Sequence, residues 1–156
     1  MKDKRKTIKA SNVAKLCIGV IFLVIGCLIY LLFRSKSLYI YVWCKSLGIS
    51  APIDTLRLLV HDWSIPDYVR FCLPDGLYCA AYLFIVDVIW HEDKRRQKFF
   101  IYAVIPIISI GSEVLQYFGV IKGTYDVLDF VFYIVPSLLF FSIDYIIPKL
   151  FIKQIT

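Results

Sequence analysis

Charge is scarce in this chain: Asp, Glu, Lys and Arg make up 19% of 156 residues, where a soluble domain carries about one quarter. The basic residues gather in short segments between apolar stretches and build no folded polar face. That pattern excludes nucleic-acid binding despite a net charge of +6. Metal-binding spacing is missing as well. The five cysteines, Cys17, Cys27, Cys44, Cys72 and Cys79, form no Cys-x-x-Cys pair and have no companion His at zinc spacing, so no metal is expected. Gly-x-Ser-x-Gly, His-Glu-x-x-His, phosphate-loop and Gly-x-Gly-x-x-Gly patterns do not occur, and no nucleophile stands beside a base. Catalytic residues and cofactor are therefore left unassigned. No internal repeat, low-complexity tract or domain boundary interrupts the chain, which has room for one domain, 1–156.

What is abundant is apolar: 60% of residues are hydrophobic and 17% aromatic, an excess that needs a solvent other than water. Four stretches are long and apolar enough to cross hydrocarbon, at about 16–33, 73–90, 99–119 and 125–147. A spanning helix needs about 20 mostly apolar residues, because lipid offers the backbone no hydrogen bonds. The expected fold is all-α, an integral membrane four-helix bundle. The long connection 34–72 mixes aromatics with single charges and reads as short interfacial helices, one of them starting with Ser64 as cap and Asp67 three residues on.

The count of Lys and Arg orients the spans. Lys2, Lys4, Arg5, Lys6, Lys9, Lys15, the connection Lys94–Lys98, Lys149 and Lys153 place twelve basic residues on one side. Arg34, Lys36, Lys45, Arg57, Arg70 and Lys122 place six on the other, over far more loop. Both termini are therefore expected in the cytoplasm of a cell bounded by an inner (plasma) membrane. Cys44 and Cys72 then share the oxidising side, where a disulfide between them is open. Val24-Ile-Gly-Cys27 has the look of a lipoprotein cleavage site, but the apolar run continues to Phe33, so the first helix is read as retained.

An ionisable group within a span costs about 2.5–3.5 kcal/mol at its centre, so each needs a reason. Glu113 and Gln116 share one face of the third span, with Ser109 one turn further in. After a short turn, Asp126 and Asp129 open the fourth span on one face that continues through Tyr133 and Ser137. Asp75 starts the second span at the same level. The expectation is a convergence of Asp75, Glu113, Gln116, Asp126 and Asp129 at the outer leaflet, able to hold a cation or a polar headgroup. Helix-locking hydrogen bonds, at about 1 kcal/mol each, are the alternative use of the same groups. Asp87 and Asp144 lie toward the cytoplasmic ends, within reach of Lys94 or Lys149. His91-Glu-Asp93 sits beside four basic residues in a solvated turn and is read as no ligand set. Pro106 and Pro136 are expected to kink their helices.

Glu113-Val-Leu-Gln116, followed by Lys122-Gly-Thr-Tyr-Asp126-Val-Leu-Asp129 and a last apolar helix, resembles the VanZ-like family over roughly 73–141. Two places depart from the family pattern. Tyr133 and Pro136 stand where the family usually has an Asn and a Gly-rich patch, and a His near the second span is absent. The resemblance implies a role at the cell envelope, with an association to glycopeptide (teicoplanin) resistance, and implies no reaction.

Three readings follow. The first is an envelope protein that binds, or helps modify, a polar or lipid-linked ligand such as a wall precursor, with Glu113 and Asp129 holding a cation or moving protons and Gln116 orienting the ligand. The second is a non-catalytic partner or assembly subunit of a membrane protein. The third is a small ion-coupled transporter, disfavoured because four spans are few and the acids gather at one leaflet. In all three, membrane lipid is a partner.

Overall fold

A computed structural model describes residues 2–90, 95–122 and 125–142 of the chain. Among them every regular element is a helix: α1 (Lys2–Phe33), α2 (Tyr39–Ser46), α3 (Ser50–Leu59), α4 (Asp67–Phe71), α5 (Leu73–Ile89), α6 (Arg95–Tyr117) and α7 (Val127–Phe141). Among the described residues two helices are long and apolar enough to cross a membrane, over Ser11–Phe33 and Gln97–Tyr117, and α7 is a shorter apolar helix. The first expected span, 16–33, ends where α1 ends, but α1 runs back through the basic tail. Asp144, His91, Glu92, Asp93, Lys94 and Lys149 lie outside the described residues.

Helix α5 lies in the middle and packs against α1, α6 and α7. It can do so because small residues let backbones approach. On α1, Gly19 and Gly26 are seven residues apart and face α5. A Cβ at Gly19 would come within 3.2 Å of the Ala81 carbonyl, and one at Gly26 within 2.8 Å of the Tyr78 ring. On the other flank of α5, a Cβ at Gly76 would stand 2.9 Å from the Phe132 carbonyl oxygen of α7. Pro136 explains why that carbonyl is available: with no N–H, it leaves the oxygen four residues earlier without its helical donor. The close approach of Gly76 lets a Cα–H lie against it. Cys79, Leu83, Val86, Tyr102 and Phe140 form the buried core between α5, α6 and α7, with Tyr102 and Phe140 edge to face at 5.2 Å.

The surface is the inverse of a soluble protein's. On α1, Val13, Val20, Ile21 and Val24 are exposed, as are Ile107 and Ile108 on α6 and Leu138 and Leu139 on α7. Among the described residues the buried polar side chains are Asp87, Glu113 and Ser137. Asp87 joins three helices: Lys15 of α1 pairs with one carboxylate oxygen at 2.6 Å, Lys98 of α6 with the other at 2.5 Å, and the Tyr102 hydroxyl donates to the same group. Among the described residues the partners of Asp87 are thus Lys15 and Lys98; Lys94, which the sequence offers, lies outside them.

Helices α2, α3 and α4 fill the connection 34–72. Arg57 of α3 donates to the Leu31 and Arg34 carbonyls at 2.6 and 2.9 Å, capping the end of α1. Ser64 is not the cap of α4: the helix begins at Asp67 with Pro66 extended before it. A residue preceding proline avoids the helical region, so Ile65 cannot open a helix capped by Ser64. All five cysteines are free thiols, and Cys44 and Cys72 are buried without a bond between them.

Candidate functional site

Two local devices bring the acidic residues together. Helix α6 ends in a Schellman motif, with the Gly119 N–H bonded to Gln116 O and the Val120 N–H to Leu115 O, both at 2.9 Å. Gly119 takes the left-handed φ of 69° that this closure requires. Helix α7 then opens on Asp126 as N-cap, one carboxylate oxygen accepting the Leu128 N–H at 2.8 Å. The turn between the two is short enough to make them antiparallel neighbours. Glu113 of α6 accepts a long contact of 3.5 Å from the Asp126 N–H.

The product is a cavity of about 550 Å³ at the end of the molecule that carries α2–α4. Asp75, Glu113, Gln116, Asp126 and Asp129 all line it, from α5, α6 and the start of α7. Glu113 is the most enclosed of these, at 4% exposure. Tyr133 of α7, one turn below Asp129, also lines it; Ser137 turns away and donates instead to the Tyr133 carbonyl at 2.8 Å, beside Cys79. Ser109 is not in the lining. Ser112 takes that place, donating to Ser109 O at 2.7 Å, because the floor of the cavity lies at the level of Glu113.

Sequence reasoning missed the contribution of α1. Tyr30 and Arg34 complete the wall, with the Arg34 guanidinium 4.4 Å from the Tyr30 ring centre and 5.2 Å from that of Phe71. Its Nη1 donates to the Phe71 carbonyl at 3.5 Å. A signal existed: Arg34 is the first charge after a run of 18 uncharged residues, so its head must find water or an anion at the helix end. Four carboxylates face this one guanidinium, an excess of negative charge that a cation, or protons, would offset.

Cys72, the residue before α5, is 2% exposed and lies beside two of the lining carboxylates. Its Sγ and one carboxylate oxygen each of Asp126 and Asp129 lie within 4.8 Å of one another. Burial, and then a hydrogen bond with the Asp129 carboxylate, push the Cys72 thiol up to about 12. Asp129 Oδ1 is buried and finds no hydrogen-bond partner among the described residues. No family model, curated protein or solved structure matches the chain.

Proposed function

We propose that this chain is a four-span, VanZ-like protein of the inner (plasma) membrane, both termini cytoplasmic, that binds a polar or lipid-linked envelope ligand in the acidic cavity. The observation that carries the reading is the cavity itself: four acids, an amide and a guanidinium line one space of about 550 Å³. Charged side chains inside apolar helices are costly enough that pairing or a ligand is the default account. Part of the cluster is already committed to structure, since Asp126 caps α7. Glu113 makes only the long contact to the Asp126 N–H, Asp129 caps no helix, and Gln116 adds both a donor and an acceptor with which to orient a neutral or sugar-like head.

The membrane setting is supported by the exposed apolar surface of α1, α6 and α7, with Asp87 and Glu113 turned inward, and the twelve-to-six split of basic residues favours the proposed orientation. Helices α2 and α3 would lie in the outer interface, with Tyr39, Trp43, Leu47, Leu58, Leu59 and Trp63 exposed to lipid and headgroups.

The test is native mass spectrometry of protein extracted with its lipids, wild type against Glu113→Gln/Asp129→Asn. A specific envelope-lipid adduct carried by the wild type and lost in the variant, at unchanged thermal stability, is the expected result. Identical adducts in both proteins overturn the reading. Collapse of the variant assigns the acids to helix packing, and a stoichiometric protein partner retained by both favours an assembly subunit. The single variant Gln116→Leu repeats the comparison without altering charge.

A further inference from the structure

We propose that a second cavity, walled by the end of α1, by α3 and by α4, binds one phosphate group of an anionic lipid headgroup on the guanidinium of Arg70. The cavity measures about 560 Å³. It stands back to back with the acidic one: Phe33 and Arg70 line it, while their chain neighbours Arg34 and Phe71 line the other. The inference rests on the membrane setting proposed above and goes beyond the acidic cavity.

Three cations, Lys36, Arg57 and Arg70, face a single carboxylate, Asp54, in the lining. Two of the cations are already engaged. Lys36 pairs with Asp54, and both Nη atoms of Arg57 donate to the carbonyls that end α1. His61 lies against Asp62. Arg70 differs: its Nε is shielded from water and finds no hydrogen-bond partner among the described residues. A buried donor without an acceptor is rare, and a guanidinium fork matches two phosphate oxygens at once.

The apolar half of the lining selects a lipid over free phosphate. Leu58 and Trp63 line the cavity and are 75% and 63% exposed, so acyl chains can lie against them while the phosphate enters between α3 and α4. The excess of cations disfavours a zwitterionic head that brings its own ammonium group.

The test is native mass spectrometry of the full chain in neutral detergent, titrated with phosphatidylglycerol or phosphatidylcholine. The wild type should retain one phosphatidylglycerol in preference to phosphatidylcholine. Arg70→Gln should weaken that binding about tenfold, as expected for one charge-assisted hydrogen bond. Lys45→Gln removes an exposed cation of α2 outside the cavity and should leave it unchanged. Equal retention of the two lipids, unaltered binding in Arg70→Gln, or an equal loss in Lys45→Gln overturns the proposal. Saturable binding of inorganic phosphate that needs Arg70, without any lipid preference, overturns the lipid as its source. Leu58→Glu sets an anion at the mouth without removing a polar contact; it should abolish the preference and serves if Arg70→Gln folds poorly. The two cavities fail separately. Phosphatidylglycerol retained by Glu113→Gln/Asp129→Asn and lost in Arg70→Gln upholds this site whatever becomes of the envelope-lipid adduct, and the opposite pattern moves the lipid to the acidic cavity and overturns it.

Discussion

Asp54 of α3 is held by two neighbours, Lys36 at 2.5 Å and the Tyr41 hydroxyl at 2.8 Å. The Lys36 hydrogen bond, and then that of Tyr41, hold its carboxyl below the ordinary value of 3.8. A folded value below the unfolded one means the contribution is present above the unfolded value and lost as pH falls through the folded one. The contact of α2 with α3 should therefore stay intact from neutral pH down to about 4 and loosen only below it. Hydrogen exchange across α2 reads this, and Asp54→Asn should abolish the pH dependence; loosening near neutrality contradicts the assignment. Asp87 makes a larger claim, because it is 3% exposed and faces two lysines. Asp87→Asn removes the shared anion and should cost about 3 kcal/mol, measured as a lower unfolding midpoint in detergent. Combining it with Lys15→Met should recover part of the loss, and no recovery argues against the pair.

At the scale of elements, the contact of α5 with α7 turns on one hydrogen atom at Gly76. Gly76→Ala drives a methyl to 2.9 Å from the Phe132 carbonyl, a backbone atom that cannot rotate aside. We expect a loss of about 1–3 kcal/mol and, because Asp75 and Asp129 ride on those helices, a disturbed cavity. Gly111→Ala is the control: a Cβ there meets nothing within 4 Å, and removing a helical glycine should be neutral or stabilise by up to about 1 kcal/mol. Thermal melts should show a lowered midpoint for Gly76→Ala and an unchanged or raised one for Gly111→Ala. If Gly76→Ala is as stable as the parent, the close approach does not govern the packing of α5.

For the whole molecule, orientation is the quantity to check. In a cysteine-free background, Lys122→Cys should react with a membrane-impermeant reagent on intact cells, and Lys94→Cys should react only after the membrane is opened. The reverse pattern would turn the molecule over and place the acidic cavity at the cytoplasmic face. Reaction of both from outside would deny the two positions opposite sides.

Much of this protein was legible one residue at a time. The run Leu16–Phe33 announced the end of α1, and the spacing of Glu113, Gln116, Asp126 and Asp129 announced a shared level, because helical periodicity and a short turn are local properties. The sequence did not reveal that Arg34 would enter the same space, that Asp87 would choose Lys15 and Lys98, or that Cys72 would stand beside Asp129. Those are choices between helices distant along the chain. They depend on which faces of α1, α6 and α7 meet α5, and so on Gly19, Gly26 and Gly76, where the absence of a side chain sets the approach. Periodicity tells a helix which face is polar; only packing decides what that face meets.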